Sequence, residues 1–259
     1  MELNNESLLF SSGYQKAFIL LVFAALVALE KYHMHRDNKQ DIVRHSKRVN
    51  LQIFLFNDIV MNLLSVSSLL AIAESLSGFG LLNVTDSVPL KMIISFVLYD
   101  LMMYVSHWTR HKNLFLWKFH RVHHSDWDLN ATTTFRLHIG DVLFTTICKA
   151  IFIIVFGVPT LLVAFNEIIV TSIVMLNHAN ISFRGERLLS KVFVVPSKHA
   201  VHHSSTWGEH ESNFGFALSI WDKMFGTCKK VTPAYYGLPT IREPSFFETL
   251  FLNWKRNKK

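Results

Sequence analysis

Apolar runs long enough to cross a membrane constrain this chain more than any other feature. A helix needs roughly 20 residues to cross about 30 Å of hydrocarbon. The candidate runs are residues 51–76, 88–104 and 142–178, with a shorter run at 17–29. The shorter run spans only if it recruits residues before Lys16. We therefore predict an all-α, multi-pass helical membrane protein with about four transmembrane helices or hairpin limbs, forming a single integral membrane domain over residues 1–259.

Two local features refine these spans. The run 142–178 is predicted to be a helical hairpin that breaks at Gly157-Val158-Pro159, because proline cannot continue a helix. The run 51–76 contains three polar side chains, Asn57, Asp58 and Asn62. A carboxylate that faces lipid is costly, so we expect these three residues to face other helices. Phe152 and Phe156 are expected to pack or to contact lipid.

Composition supports a membrane protein and excludes several other classes. Half of the residues are hydrophobic and only 17% are charged, which is unusual for a soluble domain with a polar shell. The net charge of +7 could indicate nucleic acid, but Lys and Arg alternate with long apolar runs. We therefore expect no nucleic acid partner, and loops beside an anionic leaflet instead. Cys148 and Cys228 lie far apart, which argues against a disulfide framework and a thiolate metal site.

The distribution of basic residues predicts an orientation. With the N-terminus outside, residues 31–50, 107–138 and 179–259 lie inside and together hold 23 of the 26 Lys and Arg residues. The loop 77–89 has no Lys or Arg, as the positive-inside rule expects of an external loop. Every multi-histidine cluster then falls on the inner side. We predict a cytoplasmic, histidine-rich helical cap on the membrane helices.

Histidines in three clusters carry the chemistry of the chain. The clusters and one further histidine comprise His107 and His111; His120, His123 and His124; His199, His202 and His203; and His178. Spacings of three and four residues place imidazoles on one face of a helix, so that two can bind one ion while a third reaches another. Nine nitrogen ligands exceed the four that one tetrahedral zinc ion uses. The pattern therefore predicts a dinuclear metal site, whereas the lone His33, His35, His45 and His210 are expected to be interfacial.

Acidic residues share helix faces with some of these histidines. Asp100 and Tyr104 precede His107 and His111 on one stripe, and Glu167 and Thr171 precede His178 in the same way. Such carboxylates could accept a ring N–H from a ligating histidine and fix its tautomer. They could equally make only hydrogen bonds between helices. The sequence leaves both interpretations open.

At these residues the chain resembles the fatty acid hydroxylase and sterol desaturase superfamily of integral membrane non-haem di-iron oxygenases. The resemblance covers about residues 95–230, the expected catalytic region, and rests on four segments: HWTRH, HRVHHSDWDLNATTTFRLH, NHANISF and PSKHAVHHSSTWGEHESNFGFALSIWDKMFGT. It implies that the nine clustered histidines are the metal ligands. His138 is a possible site residue only, because Ile139 and Asp141 stand where many members have proline and glutamate. Ser182 replaces a further histidine of some members, so Asn177 or Asn213 is expected to steer a group at that metal.

The resemblance also implies the reaction and its partners. Two Fe ions, with Zn possible in the purified protein, would use O2 as co-substrate to hydroxylate or desaturate a lipid taken from the bilayer. The sequence has no GxGxxG fingerprint and no evident haem-binding domain. It therefore implies a separate electron donor, a reductase with a ferredoxin or cytochrome b5-like carrier.

Three alternatives use the same histidines differently. A zinc-dependent membrane lipid hydrolase would activate water at an open metal position, although the HExxH motif is absent. A metal transport or storage membrane protein would place its ligands along a pathway near the bilayer midplane, whereas these histidines are predicted at the ends of spans. A substrate-binding scaffold with a purely structural metal is the third.

Overall fold

The computed structural model describes residues 5–63, 69–75, 80–239, 241 and 243–251, and within them it is helical throughout. The α-helices are α1 Asn5–Tyr32, α2 Gln40–Leu63, α3 Leu69–Ser75, α4 Val88–Lys112, α5 Leu114–His120, α6 Ile139–Phe156, α7 Thr160–His178, α8 Glu186–Leu189, α9 Pro196–His202, α10 Trp207–His210, α11 Ile220–Met224 and α12 Phe246–Leu250. Short 3-10 helices are η1 Leu81–Val84, η2 His123–Ser125 and η3 Ala131–Phe135. Extended pairing in these residues is limited to isolated bridges such as Phe193 with Leu218. The all-α prediction is confirmed.

Among the described residues, four helices are long and apolar enough to cross a membrane. They are Gly13–Tyr32 within α1, α4, α6 and α7. The short run 17–29 does recruit residues before Lys16, and the run 88–104 extends to Lys112. Gly157 ends α6 in the left-handed conformation at φ 60°, and Pro159 immediately precedes α7. The number of spans and the broken hairpin are therefore as expected.

The region 51–76, which the sequence predicts as one span, is only partly described by the structure. Its described residues belong to α2 and α3, and neither helix is among the four candidate spans; residues 64–68 and 76 lie outside the described residues. The helix α2 begins eleven residues earlier than the apolar run, at Gln40. Its buried residues, including Val49, Ile53 and Asn57, recur at helical spacing and pack against the cap. The outer face of α2 is apolar over this region and includes Leu51, Leu55 and Ile59.

The polar residues of α2 divide between the two faces of the helix. Asn57 is buried, and its amide donates to the carbonyl oxygen of Leu137 across 2.7 Å. Asp58 and Asn62 are exposed and are joined by a hydrogen bond of 3.2 Å. The expectation that all three would face other helices is correct for Asn57 and wrong for the other two.

The ends of the spans converge on the histidine-rich cap. Glu30, in the last turn of α1, accepts backbone hydrogen bonds from Ala131 and from Asn180 just beyond α7, at 2.7 and 2.8 Å. At the opposite end Gly80 lies against Gly157, where a Cβ atom would fall 2.2 Å from the Gly157 nitrogen. Between these ends α3, α4, α6 and α7 share an apolar core that includes Phe152. This core holds the helices that carry the site.

Candidate metal centre

The structure brings all nine clustered histidines together in two adjacent buried groups. The first group contains His107, His111, His120, His124 and His202, and the second contains His123, His178, His199 and His203. Within each group every residue offers a ring nitrogen within 4.8 Å of those of the others. All nine side chains are buried, with no residue more than 7% exposed. Each group is therefore able to surround one metal ion.

Each HxxHH motif contributes to both groups. His120 and His124 belong to the first group, whereas His123 between them belongs to the second. In the other motif, His199 and His203 lie one helical turn apart and share the second group, while His202 joins the first. The His124 and His203 rings stack at 4.6 Å between centroids. Each HxxHH motif therefore supplies ring nitrogens to both groups of histidines.

The outer nitrogens of several rings are held by groups that can only accept a hydrogen bond. His107 Nδ1 donates to the Phe214 carbonyl oxygen across 2.8 Å, and His120 Nδ1 faces an Asp141 carboxylate oxygen at 2.9 Å. His178 Nδ1 donates to the Val174 carbonyl oxygen across 2.7 Å. In a neutral imidazole only one nitrogen carries a proton, so the Nε2 atoms of these rings present bare lone pairs to the interior.

The inner ring nitrogens face one another at short distances, an arrangement that favours a cation between them. The Nε2 atoms of His107 and His120 are 3.1 Å apart, and His178 Nε2 lies 3.0 Å from the Nε2 atoms of both His123 and His199. Within the two groups, four other buried Nε2 atoms lack a hydrogen-bond partner, those of His111, His124, His202 and His203. A metal ion in each group would use these nitrogens as ligands and remove the cost of burying them unpaired. The residues therefore fit a pair of metal ions.

Burial keeps the cap histidines neutral. Removal from water lowers the pKa of four of them well below 6.5, and neighbouring imidazoles lower it further: His123, His124, His199 and His203. Burial also lowers the pKa of His120, with the Asp141 carboxylate acting in the opposite direction. Neutral imidazole is the form that binds metal. The donor set is therefore ready for a cation at neutral pH.

The acidic residues that support the site are not the ones that the helix stripes suggested. Asp100 accepts from the Ala217 and Leu218 backbone N–H groups and from Trp221 Nε1, at 2.8 to 2.9 Å. Glu167 bonds Tyr99 and Lys149. Neither carboxylate has a hydrogen bond to a histidine among the described residues. Both instead make the interhelical and loop contacts of the alternative interpretation.

Two other candidate supporting residues also lie away from the ring nitrogens. His138 caps α6 by accepting from the Gly140 N–H, and its Nε2 faces the Leu250 carbonyl oxygen. Asn213 donates to the Lys198 and Lys229 carbonyl oxygens and adopts φ 53°. Their contacts shape the loops that carry the histidines.

Sequence reasoning missed two carboxylates and misplaced one histidine. Asp141 holds His120, and Glu211 Oε1 lies 3.3 Å from His111 Nδ1. The sequence signal for Asp141 was its place three residues after His138, where many members of the resembled family have glutamate. His210 is not interfacial, because it is 2% exposed and stacks on Trp117 at 5.9 Å beside the first group. His33 and His35 are exposed, and half-buried His45 bonds the Pro244 carbonyl oxygen.

An apolar cavity of about 220 Å³ extends from the histidines between α4, α6 and α7. Five clustered histidines line one end, including His107, His120 and His178. The remaining wall is largely apolar and includes Met103, Val170, Val174 and Phe216, with Lys149 and Thr171 among its polar members. A hydrocarbon chain can therefore lie between the spans with one of its carbons beside the histidines.

Four candidate spans and a cap, which together hold two buried groups of histidines at one end of an apolar cavity, define a class: a membrane protein with a candidate dinuclear metal centre. The model of the Fatty acid hydroxylase family matches residues 92–227, a little more than half of the chain. This chain therefore belongs to the fatty acid hydroxylase family.

Curated relatives that match this chain are named as a lipid hydroxylase and as monooxygenases. Ornithine lipid hydroxylase OlsE of Rhizobium tropici is 27% identical over 225 residues, covering 81% of this chain and 63% of that protein. Alkylglycerol monooxygenase of Caenorhabditis elegans is 31% identical over 161 residues, 59% of this chain and 30% of its own length. Alkylglycerol monooxygenase of Xenopus tropicalis is 28% identical over 153 residues, which cover 58% of this chain and 33% of that protein. The chain thus spans less than two thirds of each relative. No solved structure matches it.

Proposed function

We propose that this chain oxidises a C–H bond of a membrane lipid with O2 at a histidine-ligated di-iron centre. The observation that carries the proposal is the convergence of bare, buried ring nitrogens in two adjacent groups at one end of an apolar cavity. The family and the names of its relatives support a lipid hydroxylase or monooxygenase activity. The catalytic region of the proposal is residues 95–230.

In this proposal the side chains would hold the metal ions and position the lipid, and the metal ions would supply the oxidation. When bound, two iron ions would provide the O2 activation that none of these side chains can perform. His107, His120 and His178 are held by their Nδ1 contacts, so that their free nitrogens stay directed inward. The walls of the cavity exclude bulk water and position the lipid chain.

The reaction needs electrons from outside the chain. Hydroxylation places one oxygen atom of O2 in a C–H bond, consumes two electrons and two protons, and releases the other atom as water. Desaturation instead removes two hydrogens from the lipid and releases two waters for the same electrons. We propose a separate donor, a reductase with a ferredoxin or cytochrome b5-like carrier. It would act on the cytoplasmic side, where the positive-inside rule puts the cap, with the N-terminus outside.

Metal content and lipid products together test the proposal. The purified chain is expected to hold two irons, and cells that express it are expected to accumulate a lipid heavier by one oxygen or lighter by two hydrogens. Cells with the His202→Ala variant provide the matched control. One metal or none per chain would contradict the dinuclear centre. A zinc-only protein that releases fatty acids would support the zinc hydrolase instead.

A further inference from the structure

A surface groove of about 820 Å³ lies beside the cap, and basic side chains line it. The groove is formed by the segments that follow α7 and α11 together with α9. Its basic residues, called here the basic groove, are Arg187, Lys191, Lys198, Lys223, Lys229 and Lys230. The one acidic residue lining it, Glu186, is buried and accepts from the Ser197 N–H across 2.8 Å. The groove therefore presents an excess of positive charge.

Several of these cations make hydrogen bonds to backbone oxygens rather than ion pairs with carboxylates, and Asp222 acts on Lys198 only from a longer distance. Lys198 Nζ donates to the Ser190 carbonyl oxygen across 2.5 Å, and Lys223 and Lys229 donate to backbone carbonyl oxygens. In the part of the chain that the structure describes, no ion pair involves a residue of the basic groove. A group of unpaired cations at one place favours an anionic ligand.

An apolar surface borders the basic groove. Its exposed side chains, called here the apolar collar, are Leu188, Leu189, Val192, Phe193, Ile220, Met224 and Phe225. The two segments that carry them are joined by a bridge between Phe193 and Leu218 and by a hydrogen bond from the Ser219 N–H to the Val192 carbonyl oxygen. A contiguous apolar patch of this kind marks a surface that contacts a partner or a lipid bilayer.

Contacts with α4 place the apolar collar at membrane depth. Asp100 holds the Leu218 backbone and the Trp221 ring, and it lies seven residues before His107, about 10 Å deeper along the helix. The ring of Phe225 stacks on Tyr104 of the same span at 5.3 Å. In a bilayer that α4 crosses, the collar would face acyl chains, and the groove, which begins four residues after α7 ends, would lie at the level of the headgroups.

We propose that the basic groove and the apolar collar together form a binding site for an anionic phospholipid. The collar would lie among the acyl chains, while the long lysine stems carry their ammonium groups to the phosphate. An acidic protein partner fits the charge but does not account for apolar side chains at the depth of a span. This inference goes beyond the proposed reaction and does not depend on the metals.

Labelled cysteines test the depth of the collar. In the full chain with Cys148→Ser and Cys228→Ser, a polarity-sensitive dye is attached at Met224→Cys or, as the control, at the exposed Ala234→Cys. In phosphatidylcholine nanodiscs we expect an apolar environment for the first dye and an aqueous one for the second. Equal aqueous signals from both dyes would overturn the proposal.

Headgroup preference tests the groove. The full chain in phosphatidylcholine nanodiscs is titrated with phosphatidylglycerol, and bound lipid is counted by native mass spectrometry. Lys191→Gln with Lys223→Gln is expected to weaken phosphatidylglycerol binding roughly 30-fold, and the matched control Lys39→Gln with Arg44→Gln less than about threefold. Equal losses in both variants, or equal binding of the two lipids, would overturn the proposal. Unchanged lipid binding with weaker binding of an acidic electron carrier would also overturn it, in favour of protein docking.

Discussion

His120 Nδ1 lies 2.9 Å from a carboxylate oxygen of Asp141, and this contact joins the end of α5 to the first turn of α6. The other oxygen of the same carboxylate lies 2.7 Å from Arg110 Nε. A buried carboxylate that is held by a guanidinium stays ionised, so it keeps the proton of His120 on the outer nitrogen. The inner nitrogen is thereby left free for a metal ion.

Replacing Asp141 should weaken the metal centre without removing a ligand. Asp141→Asn keeps the size of the side chain but loses its charge and can turn an N–H toward His120. We expect a loss of about 10- to 100-fold in iron affinity or activity. The control is Asp58→Asn on the exposed face of α2. Iron affinity and turnover of Asp141→Asn equal to those of the control would contradict the positioning role.

The two groups should lose metal separately. His202→Ala removes a nitrogen from the first group and His199→Ala removes one from the second. Each variant is expected to lose about half of the bound iron and nearly all activity, because oxidation requires both ions. His45→Ala lies outside both groups and should retain both properties. Bound iron is measured by elemental analysis and activity by the amount of lipid product. Identical values for His45→Ala and His202→Ala would refute the ligand assignment.

The sequence predicts which histidines come together better than it predicts the residues around them. Histidine spacing identifies rings on one helix face, and the structure does bring together all nine that the spacing selected. Partners such as Asp141 and Glu211 come from other segments, so only tertiary packing reveals them. Asp100 does lie on the same face of α4 as His107, as the helical spacing predicts. The loop around Trp221 packs on that face, however, and its donors occupy the carboxylate.

Acid should destabilise the metal-free protein. Burial lowers the pKa of cap histidines such as His124 and His203 well below the 6.5 expected in the unfolded chain. As the pH falls below 6.5, the unfolded chain binds protons that the folded chain does not, so folding stability is lost. Each such histidine contributes up to about 1.4 kcal/mol per pH unit. Unfolding temperatures measured from pH 7.5 down to 5.5 should decrease, and a constant or rising temperature would contradict the neutral, buried state.

Asp100 should matter for stability rather than for metal binding. Its carboxylate accepts three buried hydrogen bonds from the segment 217–221. Asp100→Ala leaves these donors unpaired, so we expect a loss of about 3 kcal/mol or more in the free energy of unfolding. The exposed Asp86→Ala is the control and should change stability by less than about 0.5 kcal/mol. Iron content per folded chain should be normal in both variants; loss of iron from folded Asp100→Ala would instead indicate a direct role at the metals.

Filling the cavity should block the lipid and spare the metals. Val174 lines the cavity one turn before His178, and its hydrogen bond to that histidine comes from the backbone carbonyl, which a substitution retains. Val174→Trp adds bulk to about 220 Å³ of space, and steric overpacking should reduce oxidation of long-chain lipids at least about tenfold. Val155→Trp on the exposed face of α6 is the matched control. Because a shorter chain needs less of the cavity, short-chain lipids should be affected less than long-chain lipids. A uniform loss for all chain lengths with normal iron content would mean that the substrate does not occupy this cavity.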